Sequence, residues 1–88
     1  MTEEEFRAYA KAEGYAEPED KTQPADAFYD LHAHPLDLLV FMRTGAFTVD
    51  YGDQAETIGP GEMCAVPKRV DHTDAFGAGP NDYLIAWR

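Results

Sequence analysis

The sequence predicts an all-β protein, an antiparallel barrel or sandwich preceded by one short helix. Three observations carry this. From about residue 25 onward, short apolar runs are punctuated by glycine and proline. Several of those runs alternate apolar and polar residues with the period of two expected of a half-buried strand. Only the first dozen or so residues carry a helical period. The length of 88 residues suggests one domain. It divides by pattern into a helix and connector over 1–24 and a β-rich body over 25–88.

Thr2-Glu3-Glu4-Glu5 has the form of a capping box, a threonine N-cap with glutamate three residues on. Phe6, Tyr9 and Ala10 then fall on one helical face, and Gly14 is a natural stop. A helix is expected over roughly 3–13, docked on the outside of the domain. From Tyr15 to Gln23 the chain is polar and carries Pro18, Glu19 and Asp20, with Pro24 next, which suggests a connector.

Phe28 to Leu31 opens the extended body and leads into His32-Ala33-His34-Pro35-Leu36-Asp37. Leu36 to Met42 is almost continuously apolar, the mark of a strand buried on both faces. Phe47, Val49 and Tyr51 alternate with Ala46, Thr48 and Asp50. Further strands are expected over 54–58, 63–66 and 70–76. Turns are expected at Gly52-Asp53, Gly59-Pro60-Gly61 and Gly77-Ala78-Gly79-Pro80. Tyr83, Ile85 and Trp87 alternate with Leu84 and Ala86 in the last strand.

Composition removes several function classes. The formal net charge is −10, which argues against nucleic acid, whose phosphates demand lysine and arginine, and against anionic membrane surfaces. No apolar run approaches the roughly 20 residues of a membrane helix, and no signal-peptide pattern opens the chain. The single cysteine, Cys64, has no partner for an internal disulfide, so a cytoplasmic protein is expected. No serine is present, which excludes a Ser-His-Asp hydrolase. Cys64 is expected as a small core residue, with a thiolate near a metal as the sharper alternative.

The chain has three histidines. On an extended segment His32 and His34 point to the same face, which makes half of a metal site. His72 lies about 40 residues on and has to be brought in by the fold. Arg43 and Arg69 are candidates to hold an anionic ligand, with solvated surface arginines as the alternative.

His32-x-His34 followed by Gly45 resembles the first cupin motif, which runs Gly, His-x-His, Glu, Gly. Gly61-x5-Pro67-x-Arg69-x2-His72 resembles the second, which runs Gly-x5-Pro-x-Gly-x2-His. The resemblance covers roughly residues 25–88. It implies a small cupin-type antiparallel β-barrel, or jelly roll, whose mouth holds a divalent metal through His32, His34 and His72. Four residues of the motifs are missing from it. Position 26 is Asp and position 69 is Arg where the motifs have glycine. Phe76 stands where the second motif ends in asparagine. Leu38 and Leu39 stand where the glutamate ligand belongs. Asp37 is the nearest carboxylate and is carried as a possible fourth ligand, an outer acceptor orienting a histidine ring, or a polar residue at a strand entrance.

The function these residues imply is an open three-histidine site for a divalent transition metal (Zn, Fe or Ni). It would bind or act on a small anionic molecule. The alternative is a small-ligand sensor with no essential metal, and a metal-free barrel with remnant histidines is the plainest reading. A homodimer is expected, because so short a chain buries little core alone. The strand over 36–42 and the N-terminal helix are the surfaces expected to meet.

Overall fold

The computed structural model describes residues 1–88. One helix, α1 (Glu3–Ala12), precedes eight strands: β1 (Glu19–Gln23), β2 (Phe28–His32), β3 (Leu38–Thr44), β4 (Phe47–Asp50), β5 (Ala55–Ile58), β6 (Met63–Val66), β7 (His72–Phe76) and β8 (Asn81–Trp87). They form two four-stranded sheets in the orders β1-β8-β3-β6 and β2-β7-β4-β5, with every pairing antiparallel. The expected barrel is therefore an open jelly-roll sandwich of two sheets. No helix is long and apolar enough to cross a membrane.

The helix begins as its sequence dictates. Thr2 Oγ1 accepts from the Glu5 amide at 3.1 Å, and Glu5 Oε1 accepts from the Thr2 amide at 2.8 Å. Two otherwise orphaned donors are satisfied in one exchange. Phe6 and Ala10, one turn apart, are fully buried. Phe6 stacks on Phe41 with ring centroids 5.0 Å apart.

This contact explains why β3 is apolar on both faces. Leu39 and Phe41 point outward and, with Leu84 and Ala86 of β8, are covered by α1. Leu38, Val40 and Met42 point inward, against Phe47 and Val49 of β4 and Phe76 of β7. The strand is central in its sheet, with β8 on one side and β6 on the other. Burying Phe6 contributes about 2–3 kcal/mol. The expectation that two copies meet through this strand and the helix face of Phe6 is corrected: each covers the other within one chain.

Residues 19–23, expected as connector, form strand β1 against β8, with Glu19 opposite Ile85 and Gln23 opposite Asn81. Nothing in Glu-Asp-Lys-Thr-Gln announces a strand, because the segment is polar and four of its five side chains are exposed. Pairing with β8 imposes the extended form, and β1 is an edge strand whose charges suit an edge.

Gly45 ends β3 at φ 82°. A Cβ there would lie 2.8 Å from the Pro80 carbonyl and against the Asn81 side chain. Asn81 is buried and closes this corner. It accepts from the Ala46 amide at 3.2 Å and donates to the carbonyls of Pro24 (3.2 Å) and Gly77 (3.1 Å).

Candidate metal and ligand site

The histidines meet because β2 pairs with β7. His32 lies opposite His72, and Tyr29 opposite Asp74. Between these pairs Asp30 and Leu31 of β2 stand against the single residue Thr73 of β7, so a bulge lies between Tyr29 and His32. Strict alternation would place Tyr29 and His32 on opposite faces. The extra residue restores them to one face, with His72 and Asp74 across from them.

His34 follows the strand. Its carbonyl accepts from the Arg69 amide at 2.7 Å, which ties this loop to the one before β7. Its ring meets the Trp87 ring edge-on, with centroids 5.3 Å apart. The three imidazole centroids lie 4.4–5.1 Å from one another. One ligating nitrogen from each falls within 4.8 Å of the other two.

The rings are set by backbone. His32 Nδ1 meets the Asp30 carbonyl at 2.7 Å, and His72 Nδ1 meets the Val70 carbonyl at 2.9 Å. A carbonyl only accepts, so in the neutral rings each Nδ1 carries the proton and each Nε2 presents a lone pair. His72 is fully buried, and its Nε2 has no hydrogen-bond partner; nor has the buried His34 Nδ1. An unpartnered buried polar atom costs about 1–3 kcal/mol, so such atoms mark a place where something else binds. Burial, and then the neighbouring His32 and His72, push the His34 pKa down. That keeps His34 neutral and ready to ligate. These donors fit a divalent metal.

Asp37 does not come to the histidines. Its Oδ1 accepts from the Lys68 amide at 3.0 Å, and its Oδ2 from Arg88 Nη2 at 3.1 Å. Its backbone also exchanges two hydrogen bonds with that of Arg88. The Lys68 amide and Arg88 hold its carboxyl below the usual range. Asp37 pins the entrance of β3 to the C-terminal end of β8. Arg43 is likewise committed elsewhere. It pairs with Glu3 at 2.7 Å and with Asp20 and Asp82. Arg69 is exposed in the loop before β7. Neither arginine lines the cavity beside the histidines. Cys64 lies in the inter-sheet core, where burial pushes its thiol up to about 12.

The carboxylate that sequence reasoning missed is Asp74. Its Oδ2 lies 3.2 Å from His32 Nε2, and its Oδ1 lies 3.5 Å from His72 Nε2. The signal was available: on a strand, His72-x-Asp74 shares a face for the same reason as His32-x-His34. Burial pushes the Asp74 carboxyl up, while the three histidines act against that shift.

A cavity of about 310 Å³ opens beside this cluster. His32, His34 and Asp74 line it, with Lys21, Gln23, Tyr29 and Tyr83 as its other polar groups. Leu38, Val40, Phe47 and Trp87 are part of its apolar wall. Leu38 therefore occupies cavity wall where the family motif has a glutamate. The β1 residues Lys21 and Gln23 were hidden in the presumed connector. Gln23 bridges two tyrosines, accepting from Tyr29 Oη at 2.8 Å and donating to Tyr83 Oη at 3.3 Å.

Two antiparallel sheets with three histidines converging between them define a jelly-roll protein with a candidate metal site. Similar solved structures place it further. A cupin-2 domain protein from Shewanella frigidimarina matches with a TM-score of 0.67 at 21% identity, over 80% of this chain and 67% of that one. Protein NMB1881 from Neisseria meningitidis matches at 32% identity with a TM-score of 0.63, over 81% of this chain and 72% of that one. Oxalate decarboxylase from Bacillus subtilis, described with Mn(II) centres, matches with a TM-score of 0.66 at 16% identity; the match covers 80% of this chain and 20% of that one. No family model and no curated protein sequence matches the chain. The chain belongs to the cupin family.

Proposed function

We propose that this small cupin holds a divalent transition metal (Zn, Fe or Ni) through His32, His34 and His72, and binds or acts on a small anionic molecule in the adjoining cavity. The observation that carries this is the convergence of three imidazoles around the unpartnered Nε2 of the fully buried His72. A metal bound there would supply Lewis acidity toward an oxygen of the ligand. The chain's own groups do the rest. Lys21 offers a positive charge to an anion, and the Tyr29-Gln23-Tyr83 set offers hydrogen bonds. The apolar wall excludes water from one side. The Mn(II) centres and the anion named for the oxalate decarboxylase support this ligand class.

The alternative is a non-catalytic binding protein with no essential metal. What favours it is that Lys21, Gln23 and the two tyrosines form a binding set without the histidines. Metal content measured by mass spectrometry on tag-free protein, beside a His72→Ala variant, separates the two. We expect near one ion per chain, lost in the variant. No metal in either protein after incubation with Fe, Zn, Ni and Mn salts would leave the alternative. A cytoplasmic location, suggested by the free buried Cys64, is part of the proposal. So is pairing with a second copy through a surface other than β3. Large exposed apolar side chains sit on β2, at Phe28 and Leu31. Light scattering that returns 9.8 kDa rather than twice that mass would remove the dimer.

A further inference from the structure

We infer that Asp74 is the anionic fourth ligand of the ion held by His32, His34 and His72, delivered from the strand of the second motif rather than from the segment after the first. This rests on the metal reading above and deepens it. Four facts support it.

First, Asp74 faces the ligating side of two rings. Its oxygens lie 3.2 Å from His32 Nε2 and 3.5 Å from His72 Nε2. With each Nδ1 proton engaged by a backbone carbonyl, those Nε2 atoms present lone pairs in the neutral rings. Carboxylate oxygens facing lone pairs repel unless a positive centre lies between them. Second, Asp74 is not the group that orients the rings. That role belongs to the carbonyls of Asp30 and Val70, on the opposite side of each imidazole. Third, Asp74 Oδ1 is itself buried without a hydrogen-bond partner, a costly state for a carboxylate and one a cation would relieve. Fourth, the spacings suit shared ligation. Donors that each sit about 2.1 Å from one ion are separated by about 3.0–3.4 Å in octahedral or tetrahedral arrangements. The other nearby carboxylate, Asp37, has both oxygens engaged by Lys68 and Arg88. The position after the first motif that the family fills with glutamate is here the apolar Leu38.

The test uses the full chain, wild type beside Asp74→Asn, Asp74→Glu and Asp37→Asn. Circular dichroism checks the fold of each. Affinity for Zn is measured by competition with a chromophoric chelator, and the visible spectrum is recorded after loading with Co(II). A carboxylate ligand replaced by a neutral amide of the same shape should lose at least tenfold in Zn affinity and shift the cobalt bands. Asp74→Glu should recover part of the affinity, since it restores the charge. Asp37→Asn should match wild type in both readouts. Wild type that binds Zn while a folded Asp74→Asn binds equally well, with an unchanged cobalt spectrum, overturns the assignment and leaves the three-histidine site standing. So does metal loss in Asp37→Asn alone. Wild type that takes up neither ion overturns both readings.

Discussion

Asp26 and Arg69 are the two non-glycine residues with positive φ, at 59° and 61°. They stand at the two positions where the cupin motifs have glycine. The backbone has kept the left-handed turn, and the side chains are carried in it at a cost. For an L-residue that conformation costs about 1–2 kcal/mol, less for Asp, whose short polar side chain tolerates it. Arg69→Gly removes the cost and offsets part of the gain through the unfolded chain's greater freedom. We expect a net gain of about 0.5–1 kcal/mol, a rise in Tm of about 2–8 °C for a domain of this size. A thermal melt of the metal-free protein checks it; an unchanged or lower Tm would mean the turn is not strained. The hydrogen bond from the residue 69 amide to the His34 carbonyl survives the change, so the site should keep its geometry. Both departures were visible in the sequence, but their meaning was not, since φ is a property of the folded backbone. The same holds at Asp37 and Asp74. Proximity in sequence favoured the first, and strand pairing chose the second.

Among the elements, α1 is attached by an apolar contact and by charge. Arg43 of β3 reaches Glu3 in the first turn of the helix at 2.7 Å, and Arg7 reaches the same carboxylate at 3.1 Å. Arg43, and then Arg7, hold the Glu3 pKa at about 2 against an ordinary 4.5. A carboxyl depressed in the folded state adds stability that is fully present above its unfolded value and is lost as pH falls through its folded value. The Glu3 contribution should therefore be intact above about 4.5 and fade between there and about 2. Denaturant melts across that window should show a shallower loss in an Arg43→Met variant than in wild type. Equal slopes would show that the pair does not hold the helix. The elements also divide by legibility. Strands with an apolar face (β3, β4, β6 and β8) are written in their own residues. β1 is not, because its extended form comes from the β8 edge it joins.

At the scale of the whole molecule, one sheet serves two cores. β3 and β8 send alternate residues inward to the second sheet and outward to the helix, so a chain of 88 residues makes two apolar layers from one central pair of strands. The site lies between the sheets, where His32, His72 and Asp74 come from the second sheet and Lys21, Gln23 and Tyr83 from the first. A ligand that binds only this assembled state stabilises it by mass action, about 2.7 kcal/mol at a hundred times its Kd. Saturating Zn should therefore raise the Tm by roughly 10–20 °C, and a chelator should reverse the rise. In His72→Ala the metal should have no such effect; a rise that persists there would place the ion elsewhere.

The all-β class, the capped helix and the three histidines were determined by the sequence alone, because each rests on local chemistry or on a period that a single segment displays. The partner of those histidines, the strand hidden in a polar segment and the wall of the cavity were decided only by the tertiary structure. They depend on which strands pair and in what register, and a single bulge between Tyr29 and His32 is enough to decide which side chains share a face.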